Sequence, residues 1–125
     1  VMGAFDVSYD AGRRRVRIVV KGYLSPSEVS AFAATLNAAV RNAGSDFDGI
    51  VESLDFPVQT NEVADMLGML GQGIMSRMTG RVAVVVASVL NKMQVDRTLA
   101  NPRLRVFRTL AEAEHWLDTP TTEAT

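Results

Sequence analysis

Apolar and polar residues alternate at Phe5, Val7 and Tyr9 and again at Val16, Ile18 and Val20, the period of strands that bury one face. The turn-forming stretch Asp10-Ala11-Gly12 separates the two runs, so they predict a β-hairpin. The period then lengthens, and Val29, Phe32, Ala33, Leu36 and Val40 share one helical face. Ser25-Pro26-Ser27-Glu28 supplies the start of that helix, with a capping hydroxyl, a proline that has no N–H to leave unpaired, and a glutamate able to reach back to the cap. Gly44 ends it. Residues 49–56, GIVESLDF, predict a third strand. Val63, Met66, Leu67, Leu70 and Ile74 return to helical spacing, giving a second helix expected over 63–79 and closed by Gly80. The β-branched run RVAVVVAS at 81–88 predicts a strand covered on both faces. A short amphipathic helix follows, with Leu90, Met93 and Leu99 on its apolar side and a stop near Asn101 and Pro102. RLRVFR at 103–108 is the last strand, and a second capping box from Thr109 to Glu112 opens a helix that turns Leu110, Ala113, Trp116 and Leu117 inward.

The order ββαβαβαβα implies an α/β sandwich with right-handed crossovers and a mixed, mostly parallel sheet of about five strands. With 125 residues the chain fits one domain, assigned to 1–119, and the small polar residues 120–125 read as a frayed tail. Met2 reads as the natural start, and the residues after it lack the basic-then-apolar pattern of a signal peptide. A net charge of −1 gives no broad attraction to nucleic acid or to an anionic membrane. No run reaches the roughly 18 apolar residues of a membrane-spanning helix. The absence of cysteine removes disulfides, thiolate metal sites and cysteine nucleophiles, and agrees with a cytoplasmic location.

Few residues suggest chemistry. His115 is the sole histidine and has no serine–acid partner at a suggestive spacing, so it is read as a surface or packing residue. SDFDG at 45–49 lacks the late glutamate of a calcium loop and reads as a helix-to-strand turn. GMLGQG at 68–73 lies inside a helical pattern rather than after a strand, which excludes a dinucleotide fingerprint. Gly68, Gly71 and Gly73 instead suggest close packing of that helix on the sheet. Arg13, Arg15, Arg17, Arg103, Arg105 and Arg108 are read as solvated strand faces and edge protection. Glu52 and Asp55 fall on opposite faces of a regular strand, which argues against a carboxylate dyad. At about 100° per residue, Met66 and Met78 flank the core stripe of the second helix while Met69 and Met75 fall outside it. Methionine suits adaptable apolar contacts, either core edge or binding surface. The loop DFPVQTNEVADM at 55–66 and the turn at Ala87 and Ser88 leave the carboxyl ends of parallel strands and enter helix N-termini. Such positions hold ligands in open α/β sheets and favour anions; the simpler reading is that Thr60 or Asn61 caps the helix.

The strand RVAVVVAS, the amphipathic segment after it, and LRVFRTLAEAEHWL at 104–117 resemble the SpoIIAA-like branch of the STAS fold. The resemblance runs from about Phe5 to Leu117. It is clearest at Val106, Phe107, Ala113, Trp116 and Leu117. It implies a small, non-enzymatic bacterial binding and signalling module with a STAS-like sandwich, an N-terminal hairpin and about four helices. Anti-sigma factor antagonists of this kind carry a phosphorylatable serine in an Asp-Ser-x-Gly setting at the start of the second helix. That place falls near Thr60 to Glu62, where no such pattern stands and Thr60 is the nearby hydroxyl.

The expected recognition surface is therefore the 57–62 loop and the 63–79 helix, with Pro57, Thr60, Asn61, Glu62, Met66, Met69, Met75 and Ser88 as binding residues and Thr60 as the candidate phosphoacceptor. The expected partner is a protein, with a homodimer as one form. The alternative is carriage or sensing of a small lipid-like or anionic ligand beside the methionine-rich helix. No catalytic residue, metal or cofactor is assigned, because a nucleophile, a base and an oxyanion site cannot be assembled.

Overall fold

The two alternating runs at the start of the chain pair antiparallel as β1 (Ala4–Asp10) and β2 (Arg15–Lys21), with Phe5 opposite Val20 and Tyr9 opposite Val16. A computed structural model describes residues 3–119; the start assigned to Met2 and the tail at 120–125 lie outside the described residues. The chain continues through α1 (Pro26–Ala43), β3 (Asp48–Asp55), α2 (Asn61–Met75), β4 (Val82–Val86), α3 (Val89–Thr98), β5 (Leu104–Phe107) and α4 (Leu110–Asp118). The five strands lie in chain order, and every pairing after the hairpin is parallel. No described helix is long and apolar enough to cross a membrane.

Period two sorts each strand between two layers. Val16, Ile18 and Val20 of β2 face α1 and α2, where they pack with Phe32, Leu36, Val40 and Ile74. Ile50, Ala83 and Val85 face the opposite way, beneath Ala113 and Leu117 of α4. β4 is buried on both sides, as its β-branched run requires. Ser25 and Glu28 make the predicted reciprocal capping box, and Thr60, Ser88 and Thr109 each accept a backbone N–H at the start of α2, α3 and α4. The second predicted box is only half formed, because Glu112 accepts from the Thr109 hydroxyl rather than from its backbone N–H. SDFDG is a helix-to-strand turn leading into β3.

Four local readings are corrected. First, α2 ends at Met75 rather than at 79. The chain then turns to bring Gly80 against the backbone of Phe47, so close that a Cβ on Gly80 would lie 2.2 Å from the Phe47 carbonyl oxygen. Arg103 donates to the carbonyls of Met75, Met78 and Gly80 and so satisfies this non-helical stretch. Second, Met75 is 2% exposed and belongs to the core, because α2 uses a wider buried face than a narrow stripe. Third, Gly68 and Gly71 admit α3, not the sheet: added Cβ atoms would lie 2.3 Å from the Thr98 carbonyl oxygen and 2.7 Å from Leu99. Gly73 faces open space.

Fourth, Arg13, Arg105 and Arg108 are exposed as expected, but Arg15, Arg17 and Arg103 are not a solvated face. β2 lies inside the sheet, between β1 and β3, so Arg15 and Arg17 protect no edge. Arg15 is 2% exposed and bonds Asp48, Glu114 and Asp118. Arg105 instead stacks on one side of Trp116, 5.1 Å from its ring centre, with Arg81 at 4.4 Å.

Candidate binding site

The carboxyl ends of β2, β3 and β4 are tied together by one buried glutamine. Gln59 accepts from the Leu24 N–H through Oε1 at 2.9 Å and donates from Nε2 to the carbonyls of Gly22 at 3.0 Å and Pro57 at 2.7 Å. Its backbone is held as firmly: Gln94 accepts from the Gln59 N–H and donates to the Gln59 carbonyl, both at 2.9 Å. Asn91 donates to the Phe56 carbonyl at 2.9 Å. The 56–60 loop is thus clamped between the β2–α1 connection and α3.

The same bonds set the orientation of α3. Asn91, Gln94, Val95 and Thr98 face the protein, while Leu90 is 65% and Met93 59% exposed. Among the described residues, none in α3 is fully buried. Asn91 reaches Phe56 and Gln94 reaches Gln59, so these amides turn inward with Val95, and Leu90 and Met93 turn out with Lys92, Asp96 and Arg97.

Behind α3 lies a cavity of about 150 Å³, bounded by Val51 and Val84 of the sheet, Phe32 and Leu36 of α1, and Leu67 and Leu70 of α2. Its wall is almost wholly apolar. The polar side chains at its margin have their own partners: Ser53 donates to the Val85 carbonyl, and Thr98 to that of Gln94. At the amino-terminal ends of the strands a second, polar cleft lies among Arg13, Arg14, Asp46 and Arg81, but Arg14 is paired with Asp46 at 2.6 Å and Arg81 with the carbonyls that end α4.

No family model matches the chain, and no curated protein matches it. Among solved structures, a DUF3478-family protein from Shewanella loihica PV-4, described as having a SpoIIAA-like fold, superposes with a TM-score of 0.67. The two share 14% identity, and the match covers 92% of this chain and 93% of the other. The fold is SpoIIAA-like. The architecture implied by the resemblance of the β4 and β5–α4 segments is therefore present, with the five-stranded mixed sheet and four helices in the expected order.

Within this SpoIIAA-like fold the sequence-predicted residues separate into groups. Pro57, Thr60, Asn61, Glu62 and Ser88 gather where β3 and β4 hand over to α2 and α3. Thr60 caps α2, accepting from Val63 at 3.2 Å, and remains exposed. Ser88 caps α3 in the same way. Met66 is half-buried beside Leu24, Val29 and Val63. Met69 is 79% exposed on the outer face of α2, away from buried Met75. Sequence reasoning missed Gln59, Asn91 and Gln94. The spacing of Asn91, Gln94 and Thr98 on one helical side was the available signal.

On the opposite face, the SpoIIAA-like sheet carries an ion cluster. Arg15 binds Asp48 at 2.8 Å and both Glu114 and Asp118 at 2.9 Å, and Arg17 adds a second bond to Glu114 at 2.9 Å. Burial pulls the Arg15 pKa down, but hydrogen bonds and charges from Asp48 and Asp118 outweigh it, and the net shift is upward. The Arg17 hydrogen bond, against burial and aided by Arg15, holds the Glu114 carboxyl below the usual glutamate range. A depressed carboxylate pKa contributes stability that is present above the unfolded value, near pH 4.3, and lost as pH falls through the folded value. Urea midpoints measured from pH 7 to pH 2.5 are expected to fall most steeply below about pH 4. In Glu114→Gln that acid-limb slope becomes shallower; an unchanged slope would remove Glu114 from the account.

Proposed function

We propose that this chain is a non-catalytic, STAS-like binding module that recognises a protein partner through the rim at the carboxyl ends of its parallel strands. One observation carries the reading. Of the seven large apolar side chains most exposed among the described residues, six lie on this rim: Tyr23, Leu54, Val58, Val89, Leu90 and Met93. Hydrogen bonds from Gln59, Asn91 and Gln94 lock its three segments together. Clustered apolar exposure on a rigid frame supports a recognition surface better than it supports ordinary surface scatter. The polar groups around the central cavity are committed to backbone partners, which supports binding rather than acid–base chemistry there.

This reading keeps the 57–62 loop from the sequence but moves the helical half of the surface from α2 to α3. A second copy of the chain is one partner the surface fits. The test compares Leu90→Asp/Met93→Asp with Met69→Asp in pull-downs and light scattering using the full chain. Exposed substitutions of this kind change stability by about 0.5 kcal/mol or less, so folding is retained. The rim variant is expected to lose at least tenfold in partner affinity, and the Met69 variant to bind normally. The reverse outcome would return recognition to the outer face of α2.

A further inference from the structure

We propose that the outer edge of β1 is an interface for a second copy of the chain. The two β1 strands pair antiparallel about a two-fold axis at Val7 and make one sheet of ten strands, five from each copy. The sheet has two ends, and they differ. β5 closes one end with four residues, among them the exposed Arg105. Short length and charge are usual means of keeping a free edge from pairing. β1 closes the other end with seven residues, no proline, no lysine and no bulge in its register with β2. Among the described residues, no further strand pairs with its outer side, which leaves a row of N–H and C=O groups open to another chain. Phe5, Val7 and Tyr9 are only half-buried against the core beneath α1 and α2, so apolar surface continues to this edge.

The charges of β1 and β2 choose the partner and the register. About an axis at Val7, all seven residues of β1 find an opposite: Val7 meets Val7 of the second copy, Phe5 meets Tyr9, Asp6 meets Ser8, and Ala4 meets Asp10. Moving the axis to Asp6 sets the two Asp6 carboxylates against each other, and moving it to Ser8 sets Asp6 against Asp10. Like charges directly opposite are unfavourable. The register with β2 extends the match. Ser8 lies opposite Arg17 and Ala4 opposite Lys21. Asp6 of one copy therefore faces Arg17 of the other across the small side chain of Ser8, and Asp10 faces Lys21 across Ala4. The alternate rows are apolar throughout, Val7 lying beside Ile18, Phe5 beside Val20 and Tyr9 beside Val16 in each copy. Above this edge α1 packs Phe32 on Phe5. The flank of α1 turned away from the Asn37–Arg77 bond carries Ala31, Thr35 and Ala39 at four-residue spacing, so no bulky side chain there keeps two copies of α1 apart. The two-fold axis sets the two rims at opposite ends of the joined sheet. This interface is thus separate from the rim and does not depend on the rim's having a protein partner.

The chain has no cysteine, so one introduced thiol reads the register directly. Val7→Cys in the full chain, oxidised with glutathione disulfide, is expected to give a cross-linked dimer. Residues directly opposite in an antiparallel pair lie about 4.5–5.5 Å apart, within disulfide reach. Ala4→Cys is the control and is expected to stay uncross-linked, because its two copies would stand six residues apart along the strand, or about 20 Å. Sedimentation equilibrium of the natural chain is expected to show a monomer–dimer equilibrium. Ser8→Asp sets a new carboxylate against Asp6, twice by symmetry, and is expected to weaken the dimer about tenfold; Ser8→Ala leaves it unchanged. Ser8 is exposed, so both variants keep the fold. A chain that stays monomeric to its highest soluble concentration overturns the interface, as does a dimer that Ser8→Asp leaves intact. If Leu90→Asp/Met93→Asp dissociates that intact dimer, self-association belongs to the rim instead. Equal cross-linking of Val7→Cys and Ala4→Cys overturns the register.

Discussion

Arg15→Met is expected to lower the unfolding free energy by about 2–3 kcal/mol, with a fall in Tm on the order of 10 °C. The guanidinium is buried and satisfies three carboxylates from two parts of the chain, Asp48 on β3 and Glu114 and Asp118 on α4. Removing it leaves those acids around an apolar stem, with Arg17 still on Glu114, Arg13 at 3.4 Å from Asp118, and Asp48 without its partner. Arg14→Met is the matching control. Its partner Asp46 is just as close, at 2.6 Å, but both side chains are well exposed, and such pairs contribute at most about 1 kcal/mol. Urea unfolding of the two variants side by side measures the contrast. Equal losses would mean that burial does not set the worth of these ion pairs.

Gly68→Ala and Gly73→Ala are expected to move stability in opposite directions, although both replace a glycine of α2. Alanine in a helix is ordinarily better than glycine by about 1 kcal/mol. At Gly73 an added Cβ meets nothing within 4 Å, so the gain should approach that figure. At Gly68 the Cβ would stand 2.3 Å from the Thr98 carbonyl oxygen. A backbone atom cannot rotate away as a side chain can, so α2 and α3 must separate. A net loss of about 1–3 kcal/mol follows. Thermal unfolding reads both; a stabilised Gly68→Ala protein would show that the helix contact yields easily.

These two results also show where the sequence was readable. Strands, helices and caps were legible because their signals are local: period two in Val16-Ile18-Val20, a hydroxyl three residues before the N–H it accepts at Thr60 and Thr109, an unbroken β-branched run in β4. The last strand and helix even carried the likeness to the SpoIIAA-like fold. What local pattern could not give was the partner of a side chain. Arg15 alternates with apolar residues and reads as an outward position, yet its acids lie 33, 99 and 103 residues further on. Gly68 announces a close approach but not to what. α3 mixes apolar and polar residues around its circumference, and the distant carbonyls of Phe56 and Gln59 decide which of them face inward. For the candidate site, the loop from Pro57 to Glu62 was singled out from its place after a parallel strand, while its buried brace, Gln59, was passed over as one more polar loop residue. Met75 failed for a related reason, since a helix covered on both flanks buries more of its circumference than a single stripe.

The sheet places its strands in the same succession as the chain. During synthesis each new strand can therefore join the edge left by the one before, and no gap must be held open for a later arrival. The α4 face obeys a different timetable. Arg15 emerges early, in the second strand, but Glu114 and Asp118 follow only after about a hundred further residues have been made, which at ordinary elongation rates of roughly 5–20 residues per second is several seconds. Until then Ile50 and Val85 lack the cover that Ala113 and Leu117 of α4 provide. α4 is the latest of the described elements to emerge, and the ion cluster is the latch that ties it back to the second and third strands.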